Sequence, residues 1–182
     1  HEGTLGDRAI VERRDREHGG LIGTPKFPSA PIHRFLARCG ESNLAAREAS
    51  VAWAMAMLRG GLADHGGGVS DDAWKLAKGE MLLSDHSQLL EMLALARGWA
   101  SDAERAQIDA AAAATMTWLG RELRDATGAL QLASGLGLAI RGLLAWHRVS
   151  SEAVALALAV STAETVWTRL WQGERLARVH RD

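Results

Sequence analysis

GGLIGTPKFPSAP, at residues 19–31, contains all three prolines of this 182-residue chain. Proline fixes φ, has no N–H, and disfavours the α conformation in the residue before it. The glycines of the same stretch permit left-handed backbone. We therefore predict one fixed, irregular path here. It separates a polar N-terminal arm, residues 1–18, from a single helical domain, residues 19–182.

Beyond the prolines, apolar residues recur at helical spacing, and no convincing strand pattern is present. Gly40 and the Gly60–Gly61 pair are expected to end the first two helices, and Ser101 and Glu104 have the spacing of a capping box. The predicted helices cover about residues 32–39, 43–59, 72–97, 101–123, 136–147 and 151 onward. This pattern predicts an all-α fold of three antiparallel helical hairpins preceded by a short helix.

The sequence also indicates an internal repeat, for which a chance recurrence of helix, glycine and leucine is the alternative interpretation. Trp53, Trp118 and Trp167 each lie late in a predicted helix and are followed by glycine and then leucine. Helical hairpins that repeat in this way stack, because one hairpin cannot bury its own apolar face. Stacked hairpins form either an open solenoid or a closed α/α toroid. The last helix also carries apolar residues at near-heptad spacing: Leu156, Val160, Ala163, Trp167 and Leu170.

Composition narrows the function classes. The chain is 47% hydrophobic and 24% charged, which is typical of globular proteins. A net charge of −1 gives no general attraction to nucleic acid or to an anionic membrane. No apolar run reaches the roughly 18 to 20 residues that span a bilayer. We therefore predict no nucleic-acid partner and no membrane-spanning segment. The first residue is not Met, which indicates that the chain was trimmed or processed. We expect a cytoplasmic location, and export followed by processing is the alternative.

Three stretches resemble one known family. Residues 19–38, GGLIGTPKFPSAPIHRFLAR, are similar to the G-G-F-G-x-A-P-K-F-P-x-P-x-x-L-x-F-L-L-R segment of the thioredoxin-domain-containing family that includes the spermatogenesis-associated thioredoxin-like proteins. Residues 58–68, LRGGLADHGGG, resemble its M-x-x-G-G-I-x-D-H-L-G-G-G. Residues 80–90, EMLLSDHSQLL, resemble its E-K-M-L-Y-D-N-A-Q-L-L. In that family an (α/α)6 toroid, similar to those of N-acylglucosamine 2-epimerases and six-hairpin glycosidases, follows a thioredoxin-like domain. The resemblance implies a partial toroid, cut to about half, without the thioredoxin-like domain.

The candidate catalytic residues are Glu80, Asp85 and His86. Five residues turn a helix about 140° beyond a full revolution, so Glu80 and Asp85 do not share a face and form no obvious acid–base pair. Retained scaffold residues are the alternative interpretation. Against the family pattern, Lys78 replaces the histidine of P-H-F-E, Ser84 the tyrosine of Y-D-N, and His86 its asparagine. These losses imply that the site of the parent family does not survive intact.

Five residues are candidate contacts to a groove or a partner: Asp64, His65, Trp74, Lys78 and Trp171. Asp64, His65 and His86 are a metal-capable set, but they lack close ligand spacing, so we predict no metal and no cofactor. Trp74 and Trp171 are candidate anchors, because large amphipathic rings are favoured at interfaces. Core packing is the alternative for the tryptophans, and a solvated side chain is the alternative for Lys78.

Two main functional hypotheses follow. The favoured one is a non-catalytic binding or assembly subunit that meets a protein partner or a second copy, because an open half-toroid exposes apolar faces. The alternative is a carbohydrate-processing enzyme, a sugar isomerase, epimerase or glycosidase-like protein, with a polar groove at Glu80, Asp85 and His86. A redox partner acting through the single Cys39 ranks last, because a lone cysteine permits only intermolecular chemistry.

Overall fold

The computed structural model describes residues 5–17, 20–23, 29–59, 83–125 and 133–177. These ranges form seven α-helices and one π-helical turn: α1 Leu5–Glu12, α2 Ala30–Cys39, α3 Leu44–Arg59, α4 Leu83–Arg97, α5 Asp102–Asp125, α6 Ala133–Ser150, α7 Ala153–Thr165 and the π-helix Val166–Leu170. Within them two isolated β-bridges occur, Arg14 with Leu21 and Trp171 with Leu176, and no strand forms. The all-α prediction is confirmed for the described part of the chain.

The entry into α2 shows how local sequence sets the path. Ser29 has the left-handed conformation, φ 51° and ψ 46°. Pro31 lies in the first turn of the helix, where backbone N–H groups have no acceptor within the helix, so its missing N–H costs no hydrogen bond. The other two prolines of the stretch lie outside the described residues. At the far end, α2 stops at Cys39, as Gly40 predicted. Arg47 of α3 then donates from Nε and Nη2 to the Gly40 carbonyl oxygen at 3.1 and 3.0 Å.

Helix α4 is the central element. Ten of its fifteen residues are buried, on every side of the helix, and it packs against α2, α3, α5 and α6. A helix covered on all sides belongs in the middle of a helical protein. Around it the core contains large side chains with almost no exposed surface: Trp53, Met57, Leu89, Leu93, Ile108, Leu119, Leu143 and Trp146.

The crossing of α4 and α6 is especially close. A Cβ atom built on Gly142 of α6 would collide with the Ser87 carbonyl oxygen of α4 and lie 3.3 Å from its carbonyl carbon. Only glycine therefore permits this approach of the two backbones. The N-terminal arm also meets the core, because Ile10 and Val11 of α1 are partly buried against it.

Candidate functional site

Helix α7 carries two neighbouring apolar stripes, and only one of them is covered. Ala155, Ala159 and Thr162 are buried, at the i, i+4, i+7 spacing of a single helix face, and α7 packs mainly on α6. The second stripe is exposed: Leu156 is 40%, Val160 48% and Trp167 66% accessible, and Ala163 is exposed with them. We call these four residues, Leu156, Val160, Ala163 and Trp167, the α7 seam.

The spacing of the seam is that of a helix–helix contact. Intervals of four, three and four residues match the a and d positions of a coiled coil. Of the five residues whose heptad spacing the sequence indicated, only Leu170 is buried. The physical reason is side-chain size. The small Ala155 and Ala159 permit a close approach of α7 to α6, and the larger leucine, valine and tryptophan beside them stay exposed.

A stacked tryptophan pair continues the seam. Trp167 lies in the π-helical turn and Trp171 directly after it; their rings are nearly parallel, 9° apart, with centroids separated by 5.4 Å. Trp171 is 39% exposed. The chain then reverses through Gly173, at φ 82°, and pairs Leu176 with Trp171. π-Helical turns are frequent at functional sites. Trp171, a predicted partner contact, thus lies at the end of an exposed apolar surface.

The two described catalytic candidates lie at the start of the central helix. Asp85 is 8% exposed, and burial raises the pKa of its carboxyl; the Ser84 hydroxyl donates a long hydrogen bond to it at 3.5 Å. His86 is fully buried, with its ring 4.3 Å from that of Trp118 at an angle of 33°. Both side chains therefore belong to the packed interior.

The remaining sequence candidates lie outside the described residues: Asp64, His65, Trp74, Lys78 and Glu80. The acidic groove required by the carbohydrate-processing alternative includes Glu80, so that hypothesis stays a prediction. Within the described ranges, no group of three or more His, Cys, Asp or Glu side chains is placed to hold a metal ion. Cys39, the redox candidate, is half-buried.

An ion cluster joins three helices and was not anticipated from the sequence. The Glu91 carboxylate of α4 is 5% exposed and forms ion pairs with two arginines. Arg141 Nε of α6 donates a hydrogen bond to it at 3.0 Å, and Arg34 Nε of α2 lies 3.2 Å from its other oxygen. Each carboxylate oxygen therefore has its own cation. The signal that could have found it is a lone glutamate within the apolar run LLEMLALA, residues 89–96, because a buried charge needs a partner.

His33 is a second buried polar group. Its Nε2 donates to the Ser50 carbonyl oxygen at 2.9 Å, and its ring meets the edge of Trp53 at 5.9 Å. Burial lowers the pKa of His33 from 6.5 to about 4, despite the opposing effect of the Ser50 hydrogen bond. The imidazole is thus neutral at physiological pH and acts as a fixed link between α2 and α3.

Comparisons of this chain with models of known protein families, with curated proteins and with solved structures give no match. Of the helices in the described ranges, none combines the length and apolar character needed to cross a bilayer. On the surface of the described residues, the α7 seam is the largest uncharged helix face that carries exposed apolar side chains.

Proposed function

We propose that this protein is a non-catalytic helical assembly subunit, derived from the α/α-toroid family that its sequence resembles, and that it associates through the α7 seam. The exposure of that seam carries the proposal. Residues 153–165 contain a single charged side chain, Glu164. A helix that is apolar on nearly all sides is normally covered, and exposed apolar surface of this kind marks a contact site.

The partial toroid supplies a reason for the uncovered seam. In a stack of hairpins, each hairpin is covered by the next one. Helices α6 and α7 form one hairpin, and a complete toroid would place another beside α7. A second copy of the chain takes that position in our proposal. The tryptophan pair at the end of the seam provides the large aromatic anchors that dominate contact energy at interfaces.

The residues of the seam fit an antiparallel pair of α7 helices. In that arrangement Leu156 faces Trp167 of the second copy, and Val160 faces its Ala163. Each layer of the contact therefore pairs two different side chains, the larger of which is Trp167 or Val160. A parallel pair would instead oppose Trp167 to Trp167 and Ala163 to Ala163, which leaves layers of very unequal width. Antiparallel helices also align their dipoles favourably.

The helix ends support the same orientation. Glu152 precedes α7, and Arg169 lies in the π-helical turn that follows it. Antiparallel pairing brings the acidic start of one helix beside the basic end of the other. Electrostatic complementarity of this kind fixes register and orientation more than affinity.

Size-exclusion chromatography with light scattering tests the assembly. We expect a dimer at micromolar concentration for the native chain and a monomer for Val160→Glu, which buries a charge in the centre of the seam. Ser161→Glu is the matched control, because it adds the same charge one position along α7, off the seam, and should leave the dimer intact. A monomeric native chain, or a dimer that Val160→Glu does not disperse, would contradict the proposal.

Cysteine cross-linking tests the orientation. In a Cys39→Ser background, chains carrying Val160→Cys are mixed with chains carrying Ala163→Cys and oxidised. Antiparallel pairing places residue 160 beside residue 163 of the second copy, so a disulfide should link the two different chains. Efficient disulfides between identical Val160→Cys chains would indicate parallel pairing.

A further inference from the structure

An open groove lies between α2, the C-terminal end of α4 and the end of α6, and no residue of the α7 seam lines it. Its volume is about 710 Å³. Binding sites for small molecules are typically clefts of roughly 300–1,000 Å³ with mostly apolar walls and a few polar groups. The groove has that composition, because its apolar wall includes Phe35, Leu95, Trp99 and Val149.

The apolar wall is exposed yet held in place. Phe35 and Val149 are each 41% accessible, which is high for large apolar side chains in a folded chain. The Trp99 ring packs against Gly40 and Arg47 on the side away from the groove. A Cβ atom on Gly40 would lie only 2.9 Å from its ring, and the Arg47 guanidinium lies 5.6 Å from the ring centroid. A ring that is already held in place loses little entropy when a ligand binds.

The charged groups of the groove favour an anion. Arg34 and Arg38 line it one helical turn apart on α2, and Glu41 is the acidic residue of the lining. Arg34 is held by its Nε contact to Glu91 at 3.2 Å, which leaves its terminal nitrogens for other acceptors. Arg38 has no ion pair with a carboxylate of the described residues. The lining thus has one positive charge in excess, which suits a monoanion better than a dianion.

We infer that this groove binds an amphiphilic monocarboxylate, with its carboxylate on Arg38 and Arg34 and its apolar body against Phe35, Leu95, Trp99 and Val149. The guanidinium fork matches a carboxylate geometrically, and charge-assisted hydrogen bonds are the stronger ones. This site shares no residue with the α7 seam, so the two proposals can be tested separately.

Isothermal titration calorimetry of the full chain with decanoate tests the inference. We expect saturable binding, with decanol at least roughly tenfold weaker because it lacks the charge. Acetate, which lacks the apolar body, should not saturate. Decyl phosphate should bind no more tightly than decanoate. Tighter binding of the phosphate, or equal binding of decanol, would overturn the assignment to a monocarboxylate.

Two variants locate the ligand. Gly98 lines the groove, and a Cβ atom there meets nothing within 4 Å, so Gly98→Leu should fill the groove without disturbing the fold. Gly137→Leu is the matched control, because Gly137 of α6 is equally open and does not line the groove. Arg38→Gln should weaken binding roughly tenfold, whereas Arg13→Gln, an exposed arginine that does not line the groove, should leave binding unchanged. Decanoate binding that survives Gly98→Leu unchanged would place the ligand elsewhere and refute the inference.

Discussion

The close approach of α4 and α6 at Gly142 gives a quantitative prediction. Gly142→Ala would place a methyl group against the Ser87 carbonyl oxygen, with the Ser87 carbonyl carbon at 3.3 Å and its Cα at 3.6 Å. All three atoms belong to the α4 backbone, which cannot rotate aside as a side chain can. Overpacking of this kind costs about 1–3 kcal/mol. The better helix propensity of alanine returns about 1 kcal/mol.

Because the obstructing atoms are backbone, we expect an overpacking cost of about 3 kcal/mol, which after the gain of about 1 kcal/mol in helix propensity leaves a net loss of about 2 kcal/mol in the free energy of unfolding. For a chain of this length the thermal midpoint should fall by roughly 4–8 °C. Gly137→Ala is the control within the same helix. Its Cβ atom meets nothing within 4 Å, so only the propensity gain remains, and the midpoint should rise by roughly 2 °C.

Thermal unfolding followed by circular dichroism, for the native chain and both variants at one protein concentration, measures the difference. If Gly142→Ala unfolds at or above the midpoint of the native chain, then α4 and α6 do not cross as closely as described. A Gly137→Ala midpoint below that of the native chain would show that the outer side of α6 is itself covered.

Three further predictions concern polar groups. The pKa of His33 is about 4 in the folded chain and 6.5 in the unfolded chain, so on acidification the unfolded chain takes up the proton first. The free energy of unfolding should therefore fall by about 2 kcal/mol between pH 7.5 and pH 5. In urea titrations, His33→Gln should reduce this dependence on pH. Glu91→Gln removes the carboxylate that pairs with Arg34 and Arg141 and should lower the free energy of unfolding by about 1–2 kcal/mol, because both arginines keep access to water. The exposed Asp102→Asn should change it by less than about 1 kcal/mol. Ser101→Ala removes the capping box in which the Ser101 N–H and hydroxyl donate to Glu104 at 2.9 and 2.7 Å, and should cost about 1 kcal/mol in the same titrations.

Local signals in the sequence predicted local structure well. The Ser101–Glu104 capping box begins α5, because its hydrogen bonds join residues within one turn of each other. Helix α2 ends at Gly40 as predicted, although Gly40 has right-handed backbone, φ −61°, and its close contact is the distant Trp99 ring. Contacts between residues far apart in the sequence could not be predicted in this way. The two arginines that neutralise Glu91 come from α2 and α6, 57 residues before it and 50 after it, and spacing along one helix carries no information about them. The groove was missed for the same reason, since three separate helices form it.

Helix α7 shows the limit of periodicity most clearly. The near-heptad pattern identified Leu156, Val160 and Trp167 as one face of a helix, but a face can be covered by the same chain or by another molecule. Helix α4 likewise shows little difference in hydrophobicity between its opposite faces, yet it is buried on all of them. The difference lies in the neighbours, which surround α4 and leave one side of α7 open.

The internal repeat sharpens this contrast. Trp53 and Trp118, which hold the first two equivalent positions, are 1% and 5% exposed, whereas Trp167 in the third is 66% exposed. Equivalent residues of stacked hairpins are expected to have equivalent surroundings, because each hairpin covers its neighbour. If the predicted repeat holds, the third tryptophan lacks a cover that the first two possess. In the proposed assembly, a second copy packed on the α7 seam would bury Trp167 as the core buries Trp53.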